Sequence, residues 1–389
     1  MDTFLSVEEL SLYVHIPFCT SCCSYCAFYS EPENFWLEYR EAYVARLEQE
    51  ICQYADSLGQ PFVTIFFGGG NPGCLSFSQL ERLLLAATTY GLAEECTVEM
   101  NPESFRDDLF PLFEKKLITR LSMGIQSMNP TTLKRLGRNA SREENLQGIA
   151  LANKVHALYG TDLSFDLMTC IPGQTIAQAI TDIDTVVSLS KADHISLYCL
   201  TIEEGTALAN LVDKNLISLL HDDFQAEMLT SCWNHLASLG YGHYEISNFS
   251  KLGKRCLHNL RYWELKSYIG LGSSAASTLV KNQQVMRITQ EQDLKSFSSS
   301  AIFSGYRTET LSSTEQMEEY LLMALRSDEG ISKEQFSMRF FNTFDFLFEN
   351  TIKTLDKNWF FDTPYSFSLQ EEGMLFLDDI TLRLAMSIS

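Results

Sequence analysis

The sequence is poor in basic residues. Its 29 lysines and arginines stand against 50 aspartates and glutamates, giving a formal net charge of −21 and a pI near 4.7. Nucleic acids and anionic membranes bind basic side chains, so this balance disfavours both as partners. No stretch reaches the ~18 apolar residues of a membrane span, and Asp2, Glu8 and Glu9 precede any apolar run, unlike a secretory signal. We expect a cytoplasmic protein without a transmembrane segment or a nucleic-acid partner.

Cysteine is present in an odd number, 11, in a chain of 389 residues. A disulfide scaffold is typical of small secreted proteins, so reduced thiols in a reducing compartment are the better interpretation. Several cysteines lie alone in apolar segments, where a free thiol packs as a small hydrophobe; these are Cys52, Cys74, Cys96, Cys170 and Cys199.

Short apolar runs alternate with longer segments of helical period. The predicted strands are 11–16, 63–67, 97–100, 120–125, 163–171, 194–201 and 243–249, and the predicted helices between them are 35–58, 78–87, 107–116, 142–158, 175–190 and 224–239. This alternation indicates an α/β fold, a partial or complete (β/α) barrel with parallel strands. Ligands bind at the carboxyl ends of such strands.

The composition changes after the barrel. A serine-rich connection at 295–304 leads to predicted helices at 313–326, 333–342 and 373–386, with a short hairpin before the last of them. We expect two domains, a barrel over 1–290 and a small, mostly helical, winged-helix-like domain over 291–389. Few basic residues occur after Glu315, which disfavours DNA binding by that domain.

Four cysteines follow the first predicted strand. Cys19, Cys23 and Cys26 have the spacing C-x3-C-x2-C, and three thiolates leave one iron of a [4Fe–4S] cluster open to another ligand. Cys19-x2-Cys22 and Cys23-x2-Cys26 also resemble two halves of a zinc site, and spacing alone leaves both readings open. The loop's place after a barrel strand favours the cluster, and so does the closeness of the two halves. Cys22 is then not a ligand.

Motifs along nearly the whole chain resemble one radical S-adenosylmethionine (SAM) family, which includes oxygen-independent coproporphyrinogen III oxidases and HemW-type haem chaperones. The segment Leu12–Cys26 is similar to its signature. Further matching motifs are Phe66–Pro72, Glu99–Pro102, Gly124–Ser127, Leu136–Arg138, Asp166–Leu167, Ile171–Gln174 and Tyr244–Phe249.

The resemblance implies a [4Fe–4S] cluster on Cys19, Cys23 and Cys26, with SAM bound to its open iron. A reduced cluster would pass one electron to SAM, and a 5′-deoxyadenosyl radical could form. The electron would come from a donor such as a flavodoxin or ferredoxin. The positions that match the family's SAM contacts are Tyr13, Tyr25, Gly69, Gly70, Asn71, Glu99, Gln126, Arg138 and Asp166.

Three features separate the oxidases from the chaperones. The oxidase pattern has a fourth cysteine where this sequence has Phe28, and it has a longer segment before the cluster motif than the eighteen residues that precede Cys19 here. The third feature is an H-N-x-x-Y-W motif that resembles the chaperones' haem-associated signature and consists here of His258, Asn259, Tyr262 and Trp263. Imidazole can ligate haem iron, and the aromatic rings could cover the macrocycle. Cys256 is another conceivable ligand.

Two histidines of the family pattern are missing. The family motif L-G-R-x-H ends here in Asn139-Ala140, and the family motif G-A-H-S is Ser274–Ser277 in this sequence, so neither contains its histidine. Asn71 stands where threonine is common in the family. We therefore predict a haem chaperone-like protein that binds haem as cargo and delivers it to client haemoproteins, such as respiratory ones. The alternatives are an oxygen-independent coproporphyrinogen III oxidase (dehydrogenase), or a zinc-stabilised binding protein.

Overall fold

A computed structural model describes residues 9–388. Its strands are β1 (Ser11–Ile16), β2 (Phe18–Cys19), β3 (Glu31–Pro32), β4 (Thr64–Gly69), β5 (Glu95–Met100), β6 (Arg120–Gln126), β7 (Asp162–Thr169), β8 (His194–Cys199), β9 (Gly242–Glu245), β10 (Asn248–Ser250), β11 (Tyr268–Leu271), β12 (Ala276–Lys281), β13 (Gln284–Gln290), β14 (Tyr306–Thr310), β15 (Ile331–Ser332), β16 (Phe360–Asp362) and β17 (Ser366–Leu369).

The α-helices lie mostly between these strands. They are α1 (Glu33–Trp36), α2 (Arg40–Leu58), α3 (Phe77–Ala87), α4 (Phe110–Glu114), α5 (Pro130–Arg135), α6 (Arg142–Tyr159), α7 (Ile176–Leu189), α8 (Ala207–Asp213), α9 (Asp222–Ser238), α10 (Leu257–Trp263), α11 (Leu294–Ser299), α12 (Ser313–Leu325), α13 (Lys333–Phe340), α14 (Phe344–Ile352), α15 (Glu371–Met374) and α16 (Leu377–Ala385). Four of the longer ones, α3, α6, α7 and α12, begin with a capping box, in which a serine or threonine and a Glu or Gln three residues later satisfy the first free N–H groups. No helix among residues 9–388 is long and apolar enough to cross a bilayer.

One large sheet organises the molecule, in the order β14-β13-β12-β11-β1-β4-β5-β6-β7-β8-β10-β9. The central part of this sheet is parallel and consists of β11, β1, β4, β5, β6, β7 and β8. The strands on its two sides, β12 to β14 and β10 with β9, pair antiparallel. Because β14 and β9 remain as edges, the sheet forms a partial barrel, as predicted.

Side chains along the parallel strands point alternately to two faces of the sheet, which have different environments. On β1, Leu12, Val14 and Ile16 are fully buried in the core that the outer helices share. The intervening positions of the strands face the concave side, where Thr97 and Glu99 of β5 meet polar residues of β6, β7 and β8 around one small cavity. A strand period of 2 therefore builds an apolar outer layer and a polar interior from the same segments.

The segment 243–249, predicted as one strand, is two short strands. β9 and β10 pair antiparallel across a two-residue turn, and β10 pairs antiparallel with β8. The parallel strand that completes the series is β11, which returns to the other side of β1. Its Gly270 fits there because a Cβ would lie 2.1 Å from the carbonyl oxygen of Ala276.

The chain leaves the large sheet only after β14, twenty residues beyond position 290. Buried Arg46 and Glu50 of α2 hold this stretch: Arg46 donates to the carbonyl oxygens of Phe297 and Ser304, and Glu50 accepts from the Tyr306 hydroxyl. Five helices and the three-stranded sheet β15-β17-β16 then form the C-terminal domain.

Most cysteines predicted to be core are at least partly covered. Cys96 and Cys170 are buried, whereas Cys52, Cys74 and Cys199 are half-buried. All eleven are free thiols in the structure.

Candidate functional site

The cysteine loop begins directly at the carboxyl end of β1. Cys19 ends the short strand β2, and its carbonyl oxygen accepts a hydrogen bond from Trp36 Nε1 at 2.9 Å. The Cys26 N–H donates to the Cys23 carbonyl oxygen at 3.3 Å, and the Ser24 N–H donates to the Leu136 carbonyl oxygen at 3.1 Å. The loop is thus tied both to its own turn and to the segment that follows β6.

The thiols of this loop share one environment. Burial raises the pKa of Cys19 to about 12, with smaller contributions from Cys22 and Cys26 among others. Burial likewise raises the pKa of Cys26, and the nearby thiols of Cys23 and Cys22 add to the effect. Cys22 is the exposed member. Groups of three or more His, Cys, Asp or Glu side chains arranged around a single metal ion do not occur within residues 9–388.

Three glycines end β4 beside this loop. Gly69 has φ of +107°, and a Cβ there would lie 2.5 Å from the His15 ring. A Cβ on Gly70 would lie 2.9 Å from the carbonyl oxygens of Ile16 and Phe18. The backbone therefore approaches the cysteine loop more closely than any larger residue allows. We call this close approach of Gly69 and Gly70 the cradle, and its use for SAM stays a prediction.

Two carboxyl groups lie in the polar interior next to the cradle. Glu99 Oε2 accepts from the Gly69 N–H at 3.3 Å, and both oxygens of Asp166 are 3.4 Å from Ser122 Oγ. Burial, followed by the charge of Asp166, raises the pKa of Glu99 to about 8. Burial raises the pKa of Asp166 to about 6, although Ser196 and Ser122 oppose it. Both shifts favour the neutral form of the carboxyl group, and the shift of Glu99 is the larger one.

Arg138 connects the cysteine loop with the strand ends. Its Nη1 lies 3.7 Å from Cys23 Sγ, and its Nη2 donates to Asn101 Oδ1 at 3.1 Å and to the Gly124 carbonyl oxygen. Its buried Nε has no partner within residues 9–388. Gln126 ends β6 with φ of +63°, and a Cβ on Gly124 would lie 2.8 Å from its Nε2.

The remaining predicted SAM positions lie around the same strand ends. The Tyr13 hydroxyl is 2.9 Å from His15 Nδ1, and Tyr25 packs against a small apolar cluster above β7 and β8. Asn71 is buried, and its Oδ1 accepts from the N–H groups of Gly73 and Asn101 and from Ser104 Oγ, at 3.1 to 3.2 Å. It joins the segments that follow β4 and β5, a structural role that the sequence did not predict.

His258, predicted as a haem contact, lies inside the molecule. It is fully buried, with Nδ1 2.8 Å from Thr64 Oγ1 and Nε2 2.8 Å from the Tyr262 hydroxyl. Thr64 begins β4, so this imidazole lies toward the opposite end of the strand from the cysteine loop. Burial lowers the pKa of His258 to about 3. In this conformation neither ring nitrogen is free to ligate iron.

The rest of the H-N-x-x-Y-W motif divides between two sides of α10. Asn259 lines the interior cavity together with Glu99 and Asp166. Tyr262 and Trp263 line a separate cleft beside the C-terminal domain. The short helix α10 thus separates the interior cavity from this cleft.

Glu95 is an important residue that sequence reasoning missed. It is buried at the start of β5, where it accepts from Arg120 Nε at 2.8 Å and from the N–H groups of His258 and Leu257 at 3.0 and 3.2 Å. It therefore fixes the start of α10. A carboxylate at the first position of a strand is the sequence signal for this role.

A second missed contact joins the Tyr244–Phe249 motif to the C-terminal domain. Arg326, after α12, donates from Nε and Nη2 to Oε1 of the fully buried Glu245, which ends β9. The backbone adds a bond from the Ile246 N–H to the Arg326 carbonyl oxygen and one from the Asp328 N–H to the Tyr244 carbonyl oxygen. This contact, the domain clamp, fastens the C-terminal domain to the last strands of the barrel.

The sequence profile of the Radical SAM superfamily matches residues 13–186, and that of the HemN C-terminal domain matches residues 311–384. A protein of Lactococcus lactis subsp. lactis (strain IL1403) named Heme chaperone HemW is 31% identical over 356 residues, covering 89% of both chains. The chain belongs to the HemW family of radical SAM proteins. The Heme chaperone HemW of Bacillus subtilis (strain 168) is 29% identical over 379 residues, which cover 95% of this chain and 97% of that protein.

Membership of this family implies a [4Fe–4S] cluster and SAM as cofactors. The solved structure of Escherichia coli coproporphyrinogen III oxidase (HemN), a radical SAM enzyme, matches with a TM-score of 0.80 at 19% identity, covering 98% of this chain and 92% of that one. Such an identity shows the fold alone, and it confirms the predicted radical SAM barrel with its C-terminal domain.

Proposed function

We propose that the protein binds haem and delivers it to client haemoproteins. The observation that carries this proposal is the similarity to proteins named Heme chaperone HemW, which extends over most of both chains. The H-N-x-x-Y-W motif supports it, because Tyr262 and Trp263 line an open cleft. Flat aromatic side chains with one polar end suit the face of a porphyrin.

Cys19, Cys23 and Cys26 are the proposed ligands of the [4Fe–4S] cluster. These thiols are partly covered, and burial raises the pKa of Cys19 and of Cys26, whereas Cys22 is exposed. Iron–sulfur clusters take thiolate ligands, and a three-cysteine set leaves one iron for SAM. When bound, the cluster can supply one electron to SAM.

The proposed SAM site is the cradle of Gly69 and Gly70 together with Glu99 and Asp166. The two carboxyl groups beside the cradle can bind an ammonium or ribose hydroxyls. Protonated Glu99 would act as a donor, while Asp166, with its lower pKa, would act mainly as an acceptor. The unpartnered Nε of Arg138 fits a ligand carboxylate. Tyr13, Tyr25, Asn71 and Gln126 position these groups.

The alternative is a coproporphyrinogen III oxidase. The fold is compatible with it, but Phe28 occupies the place of the oxidase pattern's fourth cysteine and is 71% exposed at the edge of the cysteine loop. A side chain without a thiol cannot take over that cysteine's chemistry. This observation favours the chaperone.

The decisive experiment is anaerobic reconstitution with iron and sulfide, followed by haem titration and by an assay of coproporphyrinogen decarboxylation with SAM and a reductant. Stoichiometric haem binding without decarboxylation is the expected result. Vinyl product formed at a steady rate would make the protein an oxidase and overturn the proposal.

Site assignments can be tested in the same preparation through its iron content. Cys23→Ser should abolish cluster formation, whereas Cys22→Ser, a matched change in the adjacent residue, should leave it intact. The reverse pattern would show that the ligand register is wrong. Zinc in place of iron would support the zinc-stabilised alternative.

The proposal extends to location and partners. The free thiols and the oxygen-sensitive cluster suit a reducing compartment, and we place the protein in the cytoplasm. A small electron carrier such as a flavodoxin or ferredoxin would reduce the cluster, and respiratory haemoproteins are candidate clients.

A further inference from the structure

A pair of thiols lies at the carboxyl ends of β7 and β8, outside the cysteine loop. Cys170 directly follows β7, and Cys199 ends β8. The two strands are parallel neighbours, with Thr169 paired to Cys199. The Leu200 N–H donates to the Thr169 carbonyl oxygen at 3.0 Å, which continues this pairing past the last residue of β8. The sequence predicts isolated core thiols at both positions, whereas the sheet brings them together.

The backbone at Cys170 turns its side chain toward Cys199. Strand alternation would point Cys170 into the interior, as it does Asp166, but its φ of +61° lies in the left-handed region that favours glycine. The Cys170 N–H donates to Met228 Sδ of α9 at 3.4 Å. Its Sγ lies 3.7 Å from the carbonyl oxygen of Gln225, and Sγ of Cys199 lies 3.8 Å from the side-chain oxygen of the same residue. Both thiols therefore face one residue of α9.

The two thiols differ in access and in acidity. Cys170 is 3% exposed, whereas Cys199 is half-buried. A hydrogen bond from the Cys170 thiol lowers the pKa of Cys199 and, together with burial, raises the pKa of Cys170. Burial raises the pKa of Cys232, a third thiol on α9, to about 12. Because the thiolate is the reactive form of cysteine, Cys199 is the nucleophile of this group.

We propose that Cys170 and Cys199 form a redox-active dithiol that a low-molecular-weight disulfide, such as oxidised glutathione, converts to an intramolecular disulfide. A disulfide requires thiols whose side chains approach each other, and these two meet at one glutamine. Disulfides in a reducing compartment are transient, and their roles there are catalytic or redox-sensing. The inference does not depend on haem binding, so it is tested separately from the proposed function.

The reaction is two successive thiol–disulfide exchanges. In the first, the Cys199 thiolate attacks one sulfur of oxidised glutathione, so that a mixed disulfide forms and one glutathione thiolate leaves. In the second, Cys170 loses its proton and attacks the Cys199 sulfur, which forms the Cys170–Cys199 bond and releases the other glutathione. Two electrons pass from the protein to oxidised glutathione, and the two thiol protons end on the two reduced glutathione molecules. Excess reduced glutathione reverses both steps.

The position of the dithiol connects it to the cysteine loop. Cys170 and Cys199 directly precede Ile171 and Leu200, which belong to the apolar cluster against which Tyr25 packs. A disulfide would tie the ends of β7 and β8 together and constrain the two segments that support Tyr25. The dithiol thereby provides a site for redox sensing that uses none of the proposed cluster ligands.

The test uses the reconstituted full-length protein, held anaerobically in glutathione buffers of increasing oxidised fraction. Free thiols are then alkylated, and the peptides are mapped by mass spectrometry without reduction. The expected result is a Cys170–Cys199 cross-link that increases with the oxidised fraction and disappears on return to reduced glutathione, with the iron content retained. No cross-link in excess oxidised glutathione, or cross-links only within the cysteine loop, would overturn the proposal.

Single serine variants test the order of attack. Cys170→Ser should stop at the mixed disulfide, with one glutathione on Cys199, whereas Cys199→Ser should leave Cys170 unmodified. The matched control is Cys232→Ser, because Cys232 also influences the pKa of Cys170 but is not part of the pair; this variant should form the cross-link as the wild type does. A cross-link to Cys232, or glutathione on Cys170 in Cys199→Ser, would show that the assignment is wrong. The wild-type map needs no variant, so the proposal can be tested even if a buried substitution prevents folding.

Discussion

The most informative single substitution is Glu95→Gln, because Glu95 holds both Arg120 and the start of α10. The Arg120–Glu95 pair is 3% and 6% exposed, with a distance of 2.8 Å. Removing one partner of a buried ion pair costs about 3–5 kcal/mol. Arg120 keeps its bonds to the carbonyl oxygens of Lys254 and Arg255 at 3.1 Å. The N–H groups of Leu257 and His258 bond different oxygens of Glu95, so the single amide oxygen of glutamine can keep only one of them. We therefore expect a loss within the full range, about 3–5 kcal/mol.

Urea unfolding of the apo protein, followed by near-ultraviolet circular dichroism, measures this loss. Total stabilities of about 5–15 kcal/mol make a change of this size easy to resolve. The matched control is Glu94→Gln in the preceding, exposed residue, which should remain within about 0.5 kcal/mol of the wild type. If Glu95→Gln also stays within that limit, the buried pair does not determine stability and the reasoning is refuted.

Three further results are expected. Gly69→Ala should abolish SAM binding in equilibrium dialysis while iron content is retained, because its Cβ would meet the His15 ring. The control Gly59→Ala should leave SAM binding unchanged, because no atom lies within 4 Å of the added Cβ. Burial raises the pKa of Glu99 from 4.5 to about 8. Its contribution to the free energy of unfolding is therefore fully present below about pH 4.5 and is lost as the pH rises toward 8. Glu99→Gln should remove this part of the pH dependence of the urea midpoint. Arg326→Met leaves Glu245 buried without its cation, so limited proteolysis should cleave the C-terminal domain from the barrel faster than in the wild type. Equal digestion of variant and wild type would contradict the role of the domain clamp.

Local patterns predicted much of the barrel. The strand over 11–16 was found at its predicted bounds, and the helix predicted over 142–158 begins at Arg142 and ends one residue later than predicted, since apolar periodicity and capping residues act over a few neighbours. The hairpin of β9 and β10 was missed because a run of seven residues does not reveal that a tight turn divides it. β11 was missed because its pairing with β1 joins residues far apart in sequence.

The candidate site shows the same limit. The glycines and the cysteine loop could be recognised because each is a contiguous segment with a special composition. The roles of Asn71 and Glu95 could not, because they include hydrogen bonds to Asn101 and Arg120, which are 30 and 25 positions away in the sequence. For His258, the motif indicated the segment but not that Thr64 and Tyr262 occupy both ring nitrogens.

The position of α10 has a consequence for ligands that bind on either side of it. Asn259 borders the interior cavity of Glu99 and Asp166, while Tyr262 and Trp263, one turn later, border the cleft beside the C-terminal domain. A ligand that shifts this seven-residue helix on one side changes the shape offered to a ligand on the other. Thermodynamic linkage requires the effect to be mutual, so cargo that alters SAM affinity by some factor has its own affinity altered by SAM to the same degree. Occupancy of the radical SAM centre would then set how firmly the cargo is held.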